Sequence, residues 1–296
     1  MKLSEVKIPG KLVRDGEFTR LDYCTVYENG PFLTFMEREK FLPKLLENEH
    51  VSCVLCTEEL AGRIPERMGV LIVDDPKAAF EKTHNSLAET EKYALPSFDT
   101  VIGEGCDISP LAVIPRYNVE IGDRVKIGPF CVIGEHVHIA DDCRISSHVV
   151  IGGESFSFAR DGEDEITGLT DCGTVELEEG VVVRSFAHIV RGILPTDRTI
   201  IGKRSVLDAY THIGHGAQLA SRVFVAACSC IAGNARIGSD TWVGVSATVS
   251  NRIIVGSRCR VNLGSVVTKN VPDGTEVSGN FAIEHNKFLD IVKERA

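Results

Sequence analysis

The stretch IGKRSVLDAYTHIGHGAQLASRVFVAACSCIAG (Ile201–Gly233) decides the fold. An aliphatic residue returns at every sixth position: Ile201, Leu207, Ile213, Leu219, Val225 and Ile231. Neither a 3.6-residue helix nor a two-residue strand alternation gives a strict period of six. A short strand followed by a tight turn does. Two positions before the aliphatic stands a small or β-branched residue, as at Thr199, Ser205, Thr211, Ala217 and Ser229. The residue after it is often Gly, as at Gly202 and Gly214. The aliphatic points inward, the small residue fits beside it, and the glycine permits the turn.

The period extends far beyond this stretch. Downstream it continues through Ile237, Val243, Val249, Val255 and Val261 to Val267. Upstream it runs from Ile121 to Ile151, preceded after one extra residue by Ile102, Ile108 and Ile114. Leu177, Val183 and Ile189 share the later phase. Self-similarity of this kind marks a repeat architecture. Two interruptions predict loops over 152–176 and 190–200, and loops on a rigid scaffold are where function tends to sit.

This pattern resembles the hexapeptide-repeat, left-handed parallel β-helix family. The resemblance implies that three hexapeptides make one triangular coil and that residues eighteen apart stack. Cys131, Cys143 and Cys259 fall at the small inward position and are expected in the core. Residues 1–98 lack the hexad. There CTVYENGPFLTFM, VSCVLC and MGVLIVDD read as strands, and EREKFLPKLLENEH and PKAAFEKTHNSLAETEKY as helices. The expected fold class is mainly β: a β-helix over 99–278, a small nucleotide-binding-like α/β domain over 1–98, and a short helix within 279–296.

A net charge of −10 argues against a general nucleic-acid binder. No apolar run reaches the roughly 20 residues of a membrane span, and the N-terminus shows no secretory h-region. Ten cysteines at irregular spacing point to reduced thiols in a cytoplasmic protein. The CxxC of Cys53 and Cys56 lies in an apolar strand and reads as buried thiols.

Local motifs narrow the resemblance to the UDP-3-O-acylglucosamine N-acyltransferases of the lipid A pathway. That family's Gly-Phe-Gly-Tyr/Phe-Ala loop is matched by Ser155-Phe156-Ser157-Phe158-Ala159, its Arg-Gly-x-Leu by Arg191–Leu194, and its Ile-Ala-His by Ile213-Gly214-His215. GPFLTFMEREKFLPKLLE resembles its uridine-binding domain, with Phe35 kept but Arg38 and Phe41 in place of an Asn and a Tyr. Three further features depart from the family. A second His is missing from VSNRIIVG, the C-terminal extension is cut short, and Asn280-Phe281-Ala282 stands where small sugar N-acetyltransferases carry Asn-Pro-Ala.

The resemblance implies a homotrimer that moves an acyl group from acyl-CoA or acyl carrier protein to a nucleotide-linked amino sugar, in lipid A or surface-polysaccharide biosynthesis. No other cofactor and no metal are expected. His215 matches the catalytic base, a task for which imidazole suits because it titrates near neutrality. Gly233, one coil later, would offer its N–H to the thioester oxyanion. Phe156 and Phe158 would flank the sugar nucleotide, with Phe35 and Phe41 in the nucleotide-binding-like domain. Arg191 would contact phosphate or donor, and Asp208 would orient an imidazole. His212, outward beside Ile213, is a candidate for substrate contact or simply a solvated side chain. Competing readings are O-acylation, a γ-type carbonic anhydrase using His188, His212 and His215, and a non-enzymatic scaffold.

Overall fold

The computed structural model describes every residue except 28–29, 162–164, 280–284 and 296. Asn280-Phe281-Ala282 therefore lies outside the described residues. Contacts divide the chain into two compact units. The larger holds Phe98–Gly153, Thr174–Arg191 and Arg198–Ala296; the smaller holds Met1–Ser97, Glu154–Gly173 and Gly192–Asp197.

The larger unit is a parallel β-helix whose coils contribute to three sheets of eight, nine and seven strands among the described residues. Each short strand pairs in parallel with those one coil away, so that Ile213 stands beside Ile189 on one side and Ile231 on the other. Every sixth-position aliphatic from Ile121 to Val267 is buried in one continuous core, as are Cys131, Cys143 and Cys259. Burying such side chains contributes about 1.5–3 kcal/mol each. Ile102, in the first coil, is exposed because only one neighbouring coil covers it.

Inward hydroxyls from Thr199 to Thr241 are bonded within the stack, whereas the buried Ser265 hydroxyl has no partner among the described residues. Thr199 Oγ1 accepts from the Gly216 N–H at 2.8 Å, and the Ser229 hydroxyl donates to the Gly244 carbonyl at 2.7 Å. The glycine after the aliphatic has a different purpose from the one the pattern suggests. The left-handed turn residue is the third after the aliphatic, as in Tyr210, Gly216, Arg222 and Cys228, with φ from 59° to 65°. The earlier glycine instead lets coils approach, since a Cβ on Gly214 would lie 2.6 Å from the Gly233 nitrogen. On one corner the turn residues Phe130, His148, Phe186 and Tyr210 form a ladder of rings with centroids 5.0, 4.8 and 5.0 Å apart. That spacing is set by the distance between neighbouring strands.

The excursions from the repeat are shorter than the interruptions suggest. Strands Val150–Gly153 and Thr174–Leu177 run into the first, and Arg198–Ile201 closes the second.

In the smaller unit a five-stranded sheet runs in the order Lys11–Arg14, Gly69–Ile72, Val51–Cys56, Phe32–Met36, Arg20–Leu21. Only its first pair is antiparallel. Cys53 and Cys56 are buried on the central strand. The helices are α1 (Leu42–Glu47), α2 (Glu58–Ala61) and α3 (Pro76–Ala88). Pro43 confines α1 to the residues around and after it, so the stretch read as one helix from Glu37 is a 3-10 turn and then a short helix. Helix α3 starts on Pro76, and its N-cap Asp75 accepts from the Ala78 N–H at 2.9 Å.

Helix α3 also holds the first excursion, whose tip is an antiparallel hairpin of Phe158–Asp161 and Glu165–Gly168. The Asn85 amide donates to the Gly168 carbonyl and accepts from the Thr170 N–H, both at 2.9 Å. His84, fully buried, donates through Nε2 to the Thr170 carbonyl at 2.7 Å and accepts from the Tyr93 hydroxyl at 2.8 Å. At the hairpin's base Asp171 accepts from the Ser155 hydroxyl and N–H at 2.6 and 2.7 Å. The chain ends in helix α4 (His285–Arg295). Among the described residues no helix is long and apolar enough to cross a membrane.

Candidate active site

The seven-stranded sheet and its corner carry His212, Arg191, His215 and Gly233. Its register aligns Val150, His188, His212, Cys230 and Thr248 on the outer surface, one rung per coil. The inward Ile151, Ile189, Ile213 and Ile231 fix this alignment from the core side. Two residues after each inward aliphatic the chain turns, so Arg191, His215 and Gly233 follow one another along one corner.

His215 is half-buried, with its ring over the next coil. A Cβ on Gly233 would run into that imidazole, 2.8 Å from both Cδ2 and Cε1. Any side chain at 233 would therefore displace the ring. The Gly233 N–H donates to no group among the described residues, and its carbonyl accepts from the Arg252 N–H at 3.0 Å. An imidazole and an unclaimed amide N–H thus share one notch. That pairing supplies a proton acceptor beside a donor for a developing oxyanion.

The amide of Asn234 lies 3.5 Å from His215 Nδ1. Asp208 does not make the hydrogen bond to an imidazole expected of it. It follows inward Leu207 on a different sheet, and its Oδ1 accepts from the Ala209 N–H at 2.8 Å. Arg191 is half-buried and donates its N–H to the Gly153 carbonyl at 3.1 Å. Burial, and then the Arg191 charge, hold His136 below the usual imidazole range.

His212 pairs with His188 across adjacent strands, their ring centroids 5.4 Å apart. Burial lowers the pKa of both, and for His212 the neighbouring His188 adds to it. Both are therefore neutral at neutral pH. Among the described residues no group of three or more His, Cys, Asp or Glu side chains is arranged to hold a metal ion.

The remaining candidates belong to the smaller unit. Phe156 is 94% exposed and Phe158 55%, their rings edge-to-face at 5.4 Å. Phe35 packs on Phe80 at 5.0 Å and on Tyr23 at 6.2 Å. Phe41 lies in a separate apolar cluster, with Lys40 Nζ 4.9 Å above its ring. The structure thus does not bring Phe35 and Phe41 into one cluster. Sequence reasoning gave no role to Asn234 and weighed His188 only as a metal ligand. His188 had a signal, since the dipeptide His-Ile stands at the same phase in AHIVRG and THIGHG.

Coil, register and notch together define a hexapeptide-repeat β-helix protein. The family model described as bacterial transferase hexapeptide (six repeats) matches residues 118–153. UDP-3-O-acylglucosamine N-acyltransferase of Delftia acidovorans is 25% identical over 86% of this chain and 77% of its own length. The enzyme of the same name from Coxiella burnetii is 27% identical over 68% of this chain and 65% of its own, so that the chain spans just under two thirds of that relative. In three dimensions the chain resembles UDP-N-acetylglucosamine acyltransferase from Campylobacter jejuni, with a TM-score of 0.54 over 66% of this chain and 78% of the other at 20% identity. The chain is thus similar in sequence to hexapeptide-repeat acyltransferases and shares their β-helix fold.

Proposed function

We propose that the protein transfers an acyl group from a thioester, acyl-CoA or acylated carrier protein, to the amino group of a nucleotide-linked amino sugar. The observation that carries this reading is the His215 imidazole lying on Gly233, whose N–H is unclaimed among the described residues. The amine nitrogen attacks the thioester carbonyl while His215 takes its proton. The oxyanion accepts from the Gly233 N–H, the carbon–sulfur bond breaks, and the thiolate recovers the proton from His215. Arg191, one turn position before His215, offers a charge for phosphate. Exposed Phe156 and Phe158 offer faces for a base or sugar. The nucleotide sugar is drawn from the names of the relatives, whose substrates are UDP-linked glucosamines. Lipid A or surface-polysaccharide synthesis in the cytoplasm is the setting such a substrate implies.

A homotrimer fits the same reading. Phe130, Phe186 and Tyr210 on one corner and Phe224 and Trp242 on an adjoining face are exposed, a breadth of aromatic surface that a second copy would cover.

The test pairs UDP-, dTDP- and GDP-linked amino sugars with acetyl-CoA and longer acyl donors, and reads products by mass. An acylated product resistant to hydroxylamine supports N-transfer; a hydroxylamine-labile one moves the reaction to a hydroxyl. Absence of product across the panel would sink the acyltransferase reading of this site.

A further inference from the structure

The smaller unit holds a cavity that no part of the acyltransferase reading uses. It lies between the N-terminal segment, with its 3-10 turn Leu3–Glu5, and the last turns of α3. We propose that it binds an amphipathic anion, a short apolar chain that carries one carboxylate or phosphate head. The site is independent of acyl transfer at His215.

The N-terminal wall is held in place by residues 15–18. The Leu3 N–H donates to the Gly16 carbonyl and the Phe18 N–H to the Met1 carbonyl, both at 2.9 Å. Asp15 accepts from the Ser4 N–H and hydroxyl at 2.9 and 2.8 Å. The space left beside α3 is about 380 Å³, within the range of about 300–1,000 Å³ that small-molecule sites occupy.

The interior of the cavity is apolar. Val6, Ile8 and Leu87 line it, partly buried against the core cluster that contains Phe18. Its hydroxyls are largely committed, since Thr83 donates to the Ala79 carbonyl and Thr90 to the Leu87 carbonyl, both at 2.7 Å. The N–H groups of Lys2, Glu5 and Val6 are likewise donated within the segment itself. A polar group pushed inside would find few partners, so the inner part of a ligand is apolar.

The mouth has the opposite character. Lys2, Lys7 and Lys82 stand there, all exposed, with Glu5 as the one carboxylate in the lining. Lys7 forms no ion pair among the described residues, and Lys2 attracts Asp15, whose carboxylate is already engaged by Ser4. Three ammonium groups to one carboxylate reverse the sign of a chain with 32 basic and 42 acidic residues. Such a mouth attracts an anion and repels a cation. Lysine amines on flexible stems act as point charges and not as a fixed fork, so carboxylate and phosphate both suit them.

The test follows the methyl signals of Val6, Ile8 and Leu87 in the full chain with octanoate, octyl phosphate, octanol and octylamine. Both anions are expected to shift these methyls saturably, octanol more weakly, and octylamine hardly at all. The tighter of the two anions identifies the head, and a preference in either direction supports the site. From hexanoate to octanoate, Kd should fall about fourfold per added CH2. Lys7→Gln should weaken both anions about threefold, the usual worth of one exposed ion pair, and leave octanol unchanged. Ser86→Trp sets a large ring at the mouth from an exposed helix position. It should abolish binding with the circular dichroism spectrum unchanged. Equal binding of octanoate and octylamine would show mere adsorption of an apolar chain and overturn the assignment. So would shifts that survive Ser86→Trp, or no shift of the three methyls with any probe. None of these readouts depends on acyl transfer.

Discussion

The two units solve the problem of burial in opposite ways. In the β-helix the interior is one repeated layer of aliphatics, and inward hydroxyls such as those of Thr199 and Ser229 bond to the backbone of the next coil. Its distinctive polar side chains, His188, His212 and His215, stay half-buried on the outside. The smaller unit buries titratable groups outright. His84 is sealed between Tyr93 and Thr170. Asp22, 2% exposed, sits 3.2 Å from Arg20 and accepts from the Thr196 hydroxyl at 3.3 Å. Burial raises the Asp22 carboxyl to about 6, with Asp197 adding to the rise. A repeat sets its geometry by period, so any coil can carry a functional side chain without a special bond. The non-repeating excursions lack that period and are held by specific buried polar contacts.

Removing the proposed base tests what the repeat positions. His215→Ala is expected to lower kcat by about 10²–10⁴, the usual contribution of general base catalysis, with the circular dichroism spectrum unchanged. Retention of most of the activity would show that the notch is not catalytic.

The largest expected effect on stability is in the repeated core. Leu207→Ala opens a cavity among fully buried neighbours and should cost about 2–5 kcal/mol, read from the midpoint of urea unfolding. A cost below that range would mean that neighbouring coils collapse into the gap.

Acid probes the polar interior of the smaller unit. Burial depresses the His84 pKa, so its contribution to stability is complete above the unfolded imidazole value and is lost as pH falls through and below about 6.5. Asp22 acts in the other direction. Its folded pKa is raised, so the cost of ionising it is relieved as pH falls from about 6 towards about 4. Asp22→Asn removes only the second effect, so its smaller unit should lose stability with acid more steeply than wild type. Amide exchange of Val51–Cys56 between pH 7 and 4 measures this; parallel profiles would contradict it.

Phe156→Ala should give the smallest structural change, because a side chain 94% exposed buries almost nothing. Unfolding should shift by no more than about 0.5 kcal/mol, while KM for the nucleotide sugar rises. An unchanged KM would leave Phe156 outside the site.

Much of the fold was legible because its cause is local and periodic. The hexad from Ile121 to Val267 announced the core, and the phase shared by Ile213 and Ile231 set Gly233 one coil from His215. The small residue at Ser205 or Thr211 could likewise be read as inward, since strand alternation leaves it no other face. Less legible was how a turn works. The glycine at 214 and the left-handed residue at 216 have separate duties, close approach and backbone conformation, that composition does not distinguish. Asp208 misled because matching a motif gives a residue type and not a side of the turn.

By itself, then, the sequence determined the coil, the inward residues and the register that aligns His188, His212, Cys230, His215 and Gly233 on one sheet and its corner. A six-residue period leaves a chain few other ways to bury its aliphatics. Only the tertiary structure decided that the His215 imidazole lies on Gly233 and that the Asn234 amide, rather than the Asp208 carboxylate, stands near its Nδ1. It also decided that His84 and Asn85 clasp the backbone around Thr170. These are contacts between residues with no fixed spacing. They depend on ring orientation and on where a non-repeating loop comes to rest, and no periodicity encodes either.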